Sequence, residues 1–132
     1  MGSSGAFLKK GGFKEYNWIE TGKKYGIKVL KRKGAKLNSL PHFSNTPGTA
    51  YLKYHEDGVF SQYIEYDEKR QKSFVIDLGP HKGIKTLHAH FYSDGKPDGF
   101  SVIVDSNGTV VNSKLYNKYK KLFKGVKNER RN

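Results

Sequence analysis

The sequence predicts an α+β fold: a twisted antiparallel sheet of about five strands with a C-terminal helix packed on one face. Three observations carry this. Nine Tyr and eight Phe against one Met favour strands over a helix bundle. Short alternating runs recur between turn signals along most of the chain. Only the last segment has helical spacing. A chain of 132 residues is the size of one domain with a single core.

In chain order, residues 1–12 open on "MGSSG" and read as a disordered or non-native leader. The segment 13–24 is expected as a short helix. "YGIKVLKRKG" reads as a strand, with Ile27 and Val29 alternating against Lys28. "KLNSLPHFSNTPGT" holds two Pro and a Gly among small polar residues and reads as a loop. "YLKYHEDGVFSQYIEYD" is two strands around "EDG", a hairpin. "KSFVIDLG" is a strand, "PHKGIK" a loop, "TLHAHFYS" a strand and "DGKPDG" a turn. "FSVIVDSNGTVV" is a second hairpin closed by "NG". From a cap at Asn112 or Ser113, Leu115, Tyr119, Leu122, Phe123 and Val126 fall at helical spacing, with Lys114, Lys118, Lys121 and Lys124 elsewhere on that helix. Residues 127–132 form a basic tail.

The net charge is +13, from 25 Lys and Arg against 12 Asp and Glu. A field of that sign favours polyanions, whether nucleic acid, acidic membranes or an acidic protein partner, and charge alone does not choose among them. Its distribution is uneven. Residues 1–40 hold ten basic and two acidic residues, residues 112–132 hold eight and one, and half of all acids lie in 55–80. The absence of Cys excludes disulfides, thiol chemistry and Cys-ligated zinc. No apolar run approaches a membrane span, and no secretory leader pattern is visible. Phosphate-loop, calcium-loop, Gly-x-Ser-x-Gly and His-Glu-x-x-His patterns are all missing or incomplete.

Strict alternation sorts the strands into two faces. Phe60, Ile64 and Tyr66, then Phe74, Ile76 and Leu78, then Leu87, Ala89 and Phe91, then Phe100, Val102 and Val104 are the expected core. The reverse holds Tyr63, Glu65, Asp67, Asp77, His88, His90, Tyr92, Ser101 and Asp105, a titratable face. His88 and His90 stand roughly 6–7 Å apart along a strand. That spacing brackets a phosphodiester, with one imidazole taking the proton of a 2′-hydroxyl and one giving a proton to the 5′-leaving oxygen. A basic side chain would stabilise charge on phosphorus. The same pair also suits a divalent metal, with His81 or Asp77 completing the set, and a metal-activated water would then cut DNA equally well. Asp77 ends a strand and suits orienting a histidine, and His81 lies in the loop after it. His42 reads as an ordinary loop residue, with a place in the same cleft as the alternative; His55 reads as turn surface.

Residues 44–90, "SNTPGTAYLKYHEDGVFSQYIEYDEKRQKSFVIDLGPHKGIKTLHAH", resemble the C-terminal toxin domains of bacterial polymorphic and contact-dependent inhibition toxins. The matching elements are Ser44 to Gly48, Gly58, Gln62, Tyr66-Asp67, Ile76-Asp77, His81, and His88 with His90. The chain departs from the pattern where an Arg gives way to Ile64 and a Pro to Leu87, which leaves Arg70 or Lys72 to meet phosphate. The resemblance implies a small, ribonuclease-like toxin carried at the end of a larger protein, delivered into a target bacterial cytoplasm, and silenced by a cognate immunity protein of acidic character.

The lead expectation is therefore a metal-independent ribonuclease acting on RNA, tRNA among the candidates. It has no cofactor and no membrane partner. His88, His90, Asp77 and His81 are its candidate catalytic residues, and Tyr92, Arg70, Lys72 and Lys82 contact substrate. The rivals are a metal-dependent DNase using His81, His88 and His90, and a non-enzymatic basic nucleic-acid-binding protein.

Overall fold

The computed structural model describes residues 18–32, 44, 46–55, 58–81 and 84–123. Seven strands follow one another: β1 Trp18–Lys24, β2 Ile27–Arg32, β3 Ala50–Tyr54, β4 Phe60–Tyr66, β5 Lys72–His81, β6 Ile84–Ser93 and β7 Lys96–Val104. They lie in chain order in one sheet of seven strands rather than about five. Neighbours run antiparallel except β2 and β3, which pair parallel through Lys28↔Tyr51 and Val29↔Leu52. A helix, α1 Ser113–Tyr119, and a 3₁₀ turn, Lys120–Leu122, complete an α+β fold.

Local chemistry explains the departures from expectation. Within 13–24 the described part is strand β1, because Tyr25 and Gly26, at φ 55° and 78°, form a two-residue turn that folds β1 onto β2. Asp94 and Gly95, at φ 52° and 77°, do the same between β6 and β7, so the "KPDG" that follows is strand and not turn. Pro97 is accommodated there because β7 is an outer strand. The expected loop at 80–85 shrinks, since β5 and β6 pair out to His81↔Ile84. "DSNGT" is a turn in which the Asp105 carboxylate accepts from the backbone of Asn107 and Thr109, but beyond it only Val104↔Val110 pairs. The helix starts where expected, with Asn112 Oδ1 accepting from Leu115 N at 3.1 Å, and ends earlier, at Tyr119. Val126 lies outside the described residues.

"SNTPG" is a structural clamp. Ser44 N–H donates to Arg70 O at 3.0 Å and Gly48 N–H to Asp67 O at 2.9 Å, tying the segment to the β4–β5 turn. The Ser44 hydroxyl lies 3.1 Å from Tyr51 Oη. Gly48 has φ 60°, the left-handed region in which a Cβ is strained.

Both faces of the sheet are packed. On one, Leu52, Phe60, Tyr63, Phe74, Ile76, Leu87, Ala89, Ile103 and Val104 are covered by Leu122 and Phe123, with Leu115, Tyr116 and Tyr119 packed against them. Phe123 meets Phe60 edge-on at 5.3 Å, and Tyr119 stacks on Phe74 at 5.4 Å. Glu65 accepts hydrogen bonds here from both Tyr63 Oη, at 2.6 Å, and Tyr119 Oη, at 3.2 Å. On the other face, Leu30, Tyr51, Ile64, Tyr66 and Val75 form a smaller cluster with Tyr92 beside it.

The expected sorting of faces is thus corrected in two strands. Ser61 has no partner across the β3–β4 ladder, where Tyr54↔Phe60 is followed by Lys53↔Gln62. This bulge reverses the alternation, so Phe60 and Tyr63 share the helix side while Ile64 and Tyr66 face away from it. In β7, Ile103 is the unpaired residue between Val104↔Leu87 and Val102↔His88, which sends Phe100 and Val102 to the histidine side. Glu65 and Ser101 move the other way, Ser101 accepting from Asn112 Nδ2 at 2.8 Å.

Burial first, and the nearby Glu65 charge second, push the Tyr119 phenol up to about 12. A phenol raised on folding contributes stability that is complete below its ordinary value of about 10 and is lost as pH rises through the folded value. The stability difference between wild type and Tyr119→Phe should therefore shrink between about pH 9.5 and 12, as read from urea midpoints. A difference that stays flat would show the phenol to be unperturbed.

Candidate functional site

The site is built from two adjacent rows of cross-strand partners. One row runs Lys53, Gln62, Asp77, His88, Val102 and the next runs Tyr51, Ile64, Val75, His90, Phe100. No bulge interrupts β5 and β6 between Leu78↔Leu87 and Phe74↔Phe91, so Asp77, His88 and His90 share a face.

The geometry is close. His90 Nε2 lies 3.6 Å from Asp77 Oδ2, within ion-pair reach but longer than a hydrogen bond. The two imidazoles meet edge-on with centroids 4.9 Å apart. Asp77, His88 and His90 each offer a ligand atom, and these atoms lie within 4.8 Å of one another. His88 is buried at 7% exposure, while the side chains of His90 and Asp77 are 33% and 29% exposed. The cluster therefore has a fixed floor and an open rim.

Neighbours hold each group in place. Gln62 Nε2 donates to Asp77 Oδ1 at 2.7 Å, leaving Oδ2 toward His90. Thr86 Oγ1 lies 3.1 Å from His88 Nδ1 and sets the tilt of that ring. Phe100 is 53% exposed and stands 5.5 Å from the His88 ring and 5.2 Å from the His90 ring.

Lys72 and Tyr92 extend the site along the same face. Tyr66 pairs with Lys72 and Glu65 with Phe74, so Ser73 is bulged and Lys72 is carried to the side of Tyr66. Its ammonium sits 5.1 Å from the Tyr92 ring centroid. Burial lowers the Lys72 pKa, and the Asp77 charge opposes that fall. Burial and the same carboxylate raise the Tyr92 phenol.

Of the residues expected from sequence, Asp77, His88, His90, Tyr92 and Lys72 come together. Arg70 is exposed in the 67–71 turn at φ 68°. His81 is described by its backbone alone, as the last residue of β5 rather than part of a loop. Lys82 and His42 lie outside the described residues, and His55 is exposed beside the β3–β4 turn. Sequence reasoning missed Thr86 and Phe100, and saw Gln62 only as part of a motif. For Phe100 the signal was hidden by the bulge at Ile103. For Thr86 it was visible, since Thr86 and His88 have the same parity.

Comparison with family models, curated proteins and solved structures finds no match to this chain.

The clamp on Asp77 is open to measurement. Gln62→Leu removes a donor from a partly buried carboxylate and should cost about 1–2 kcal/mol in urea unfolding. Combined with Asp77→Leu, the second change should cost less than it does alone, because the pair is coupled. Strict additivity would show that the hydrogen bond holds nothing in place.

Proposed function

We propose that this chain is an antibacterial toxin domain, a small ribonuclease-like nuclease that cleaves RNA by histidine acid–base chemistry. The observation that carries the reading is the convergence of His88, His90 and Asp77 on one partly open face. The +13 charge of the chain supports a polyanionic substrate.

In this mechanism one imidazole takes the proton of the 2′-hydroxyl as its oxygen attacks phosphorus. The other gives a proton to the departing 5′-oxygen, leaving a 2′,3′-cyclic phosphate. Asp77, 3.6 Å from His90, orients that ring. Lys72, near the same carboxylate, is the cation that offsets charge on the phosphorane. Phe100 offers an aromatic face beside both rings on which a base can stack. The basic residues of 1–40 and 112–132 hold the RNA backbone, so affinity falls steeply with salt.

The sequence resemblance supports the biological setting. A larger carrier delivers the domain into the cytoplasm of a target bacterium, and a cognate acidic immunity protein covers the histidine face. No membrane partner is part of this reading. Among the described residues no helix is long and apolar enough to cross a membrane.

Incubation with total tRNA and with plasmid, each with and without EDTA, tests the proposal. RNA cleavage should survive EDTA, and His88→Ala or His90→Ala should lower its rate by about 10²–10⁴-fold with the fold intact by circular dichroism. Plasmid cutting abolished by EDTA would point instead to a metal-dependent DNase. Binding of both substrates without cleavage would leave a nucleic-acid-binding protein.

A further inference from the structure

We propose that Asp77, His88 and His90 form a binding site for a divalent cation of the zinc class, and that the loaded form is the silent state of the nuclease. Two imidazoles and one carboxylate are a three-ligand set that leaves a fourth position open. The nitrogen–oxygen mixture favours Zn²⁺, and also Ni²⁺ or Cu²⁺, over Mg²⁺ and Ca²⁺, which take oxygen donors.

The distances suit such an ion. Bonds of about 2.0–2.2 Å at tetrahedral angles put ligand atoms roughly 3.4 Å apart. Asp77 Oδ2 and His90 Nε2 are already at 3.6 Å, and all three ligand atoms lie within 4.8 Å. Closing the set takes side-chain movement on the order of 1 Å, with no change in strand register.

The surrounding bonds are those a metal centre uses to aim its ligands. Gln62 engages one carboxylate oxygen of Asp77 and leaves the other toward His90. Thr86 engages one ring nitrogen of His88. The partial exposure of His90 and Asp77 places the fourth position on the solvent side.

Metal binding stands apart from the ribonuclease reading, whereas silencing rests on it. An ion bound to both imidazoles takes the lone pairs that proton transfer needs.

Thermal unfolding with Zn²⁺, with Mg²⁺ and with EDTA, in wild type, Asp77→Asn and His90→Gln, tests the site. Zn²⁺ should raise the wild-type midpoint by several degrees, as mass action requires. Mg²⁺ should not, and both variants should lose the shift while keeping a cooperative transition in EDTA. No shift in wild type, or an equal shift in both variants, overturns the site. Assay of tRNA cleavage on the same samples tests the silencing: Zn²⁺ should suppress it and EDTA restore it. Faster cleavage by the zinc-loaded protein than by the chelated protein overturns that part, and a protein that cuts no RNA at all still reports on binding through its melting.

Discussion

Ser61 stands unpaired between two rungs of the β3–β4 ladder, and that one inserted residue decides which side of the sheet the rest of β4 faces. Side chains on a strand alternate with a period of two, so a single extra residue turns every later one over. Beyond Ser61, Gln62 and Ile64 join the side of Asp77 and His90, and Tyr63 and Glu65 join the side of the helix. Without it, Asp77 would lose its amide donor. Glu65 would likewise lose the two phenols that share its carboxylate.

The two faces consequently play different roles. The helix side is aromatic and closed: Tyr119, Leu122 and Phe123 sit on a platform of Phe60, Tyr63 and Phe74, with Glu65 held by hydrogen bonds at its rim. The other side is half apolar and half titratable. Tyr51, Ile64, Tyr66 and Val75 pack at one part of it, and the imidazoles, Asp77 and Lys72 occupy the rest. A titratable group against an apolar cluster is partly desolvated, which strengthens its interactions with neighbouring charges. The clamp made by Ser44 to Gly48 anchors the far end of this face through the β4–β5 turn.

Much of this was legible in the sequence, and the exceptions share a cause. The α+β class, the helix start at Asn112 and the grouping of Asp77 with His88 and His90 follow from alternation or capping within segments free of bulges, and the β3–β4 hairpin follows from the turn signal between its strands. Strict alternation puts Ile64, Tyr66, Phe100 and Val102 on the core side because Ser61 and Ile103 look like ordinary strand residues. A bulge is a property of the pairing, and a single strand read alone does not reveal it. The strand at 18–24 is poorly signalled because Tyr25-Gly26 is a weaker hairpin signal than Asp94-Gly95.

Inserted residues in β4 and β7 bring Phe100, His88, His90 and Asp77 to one side of the sheet. Nuclear Overhauser contacts from the Phe100 ring report on this arrangement. Cross-peaks from those ring protons to the imidazole protons of both His88 and His90 are expected. Cross-peaks to Phe74 and Leu122 in their place would put Phe100 under the helix and overturn it.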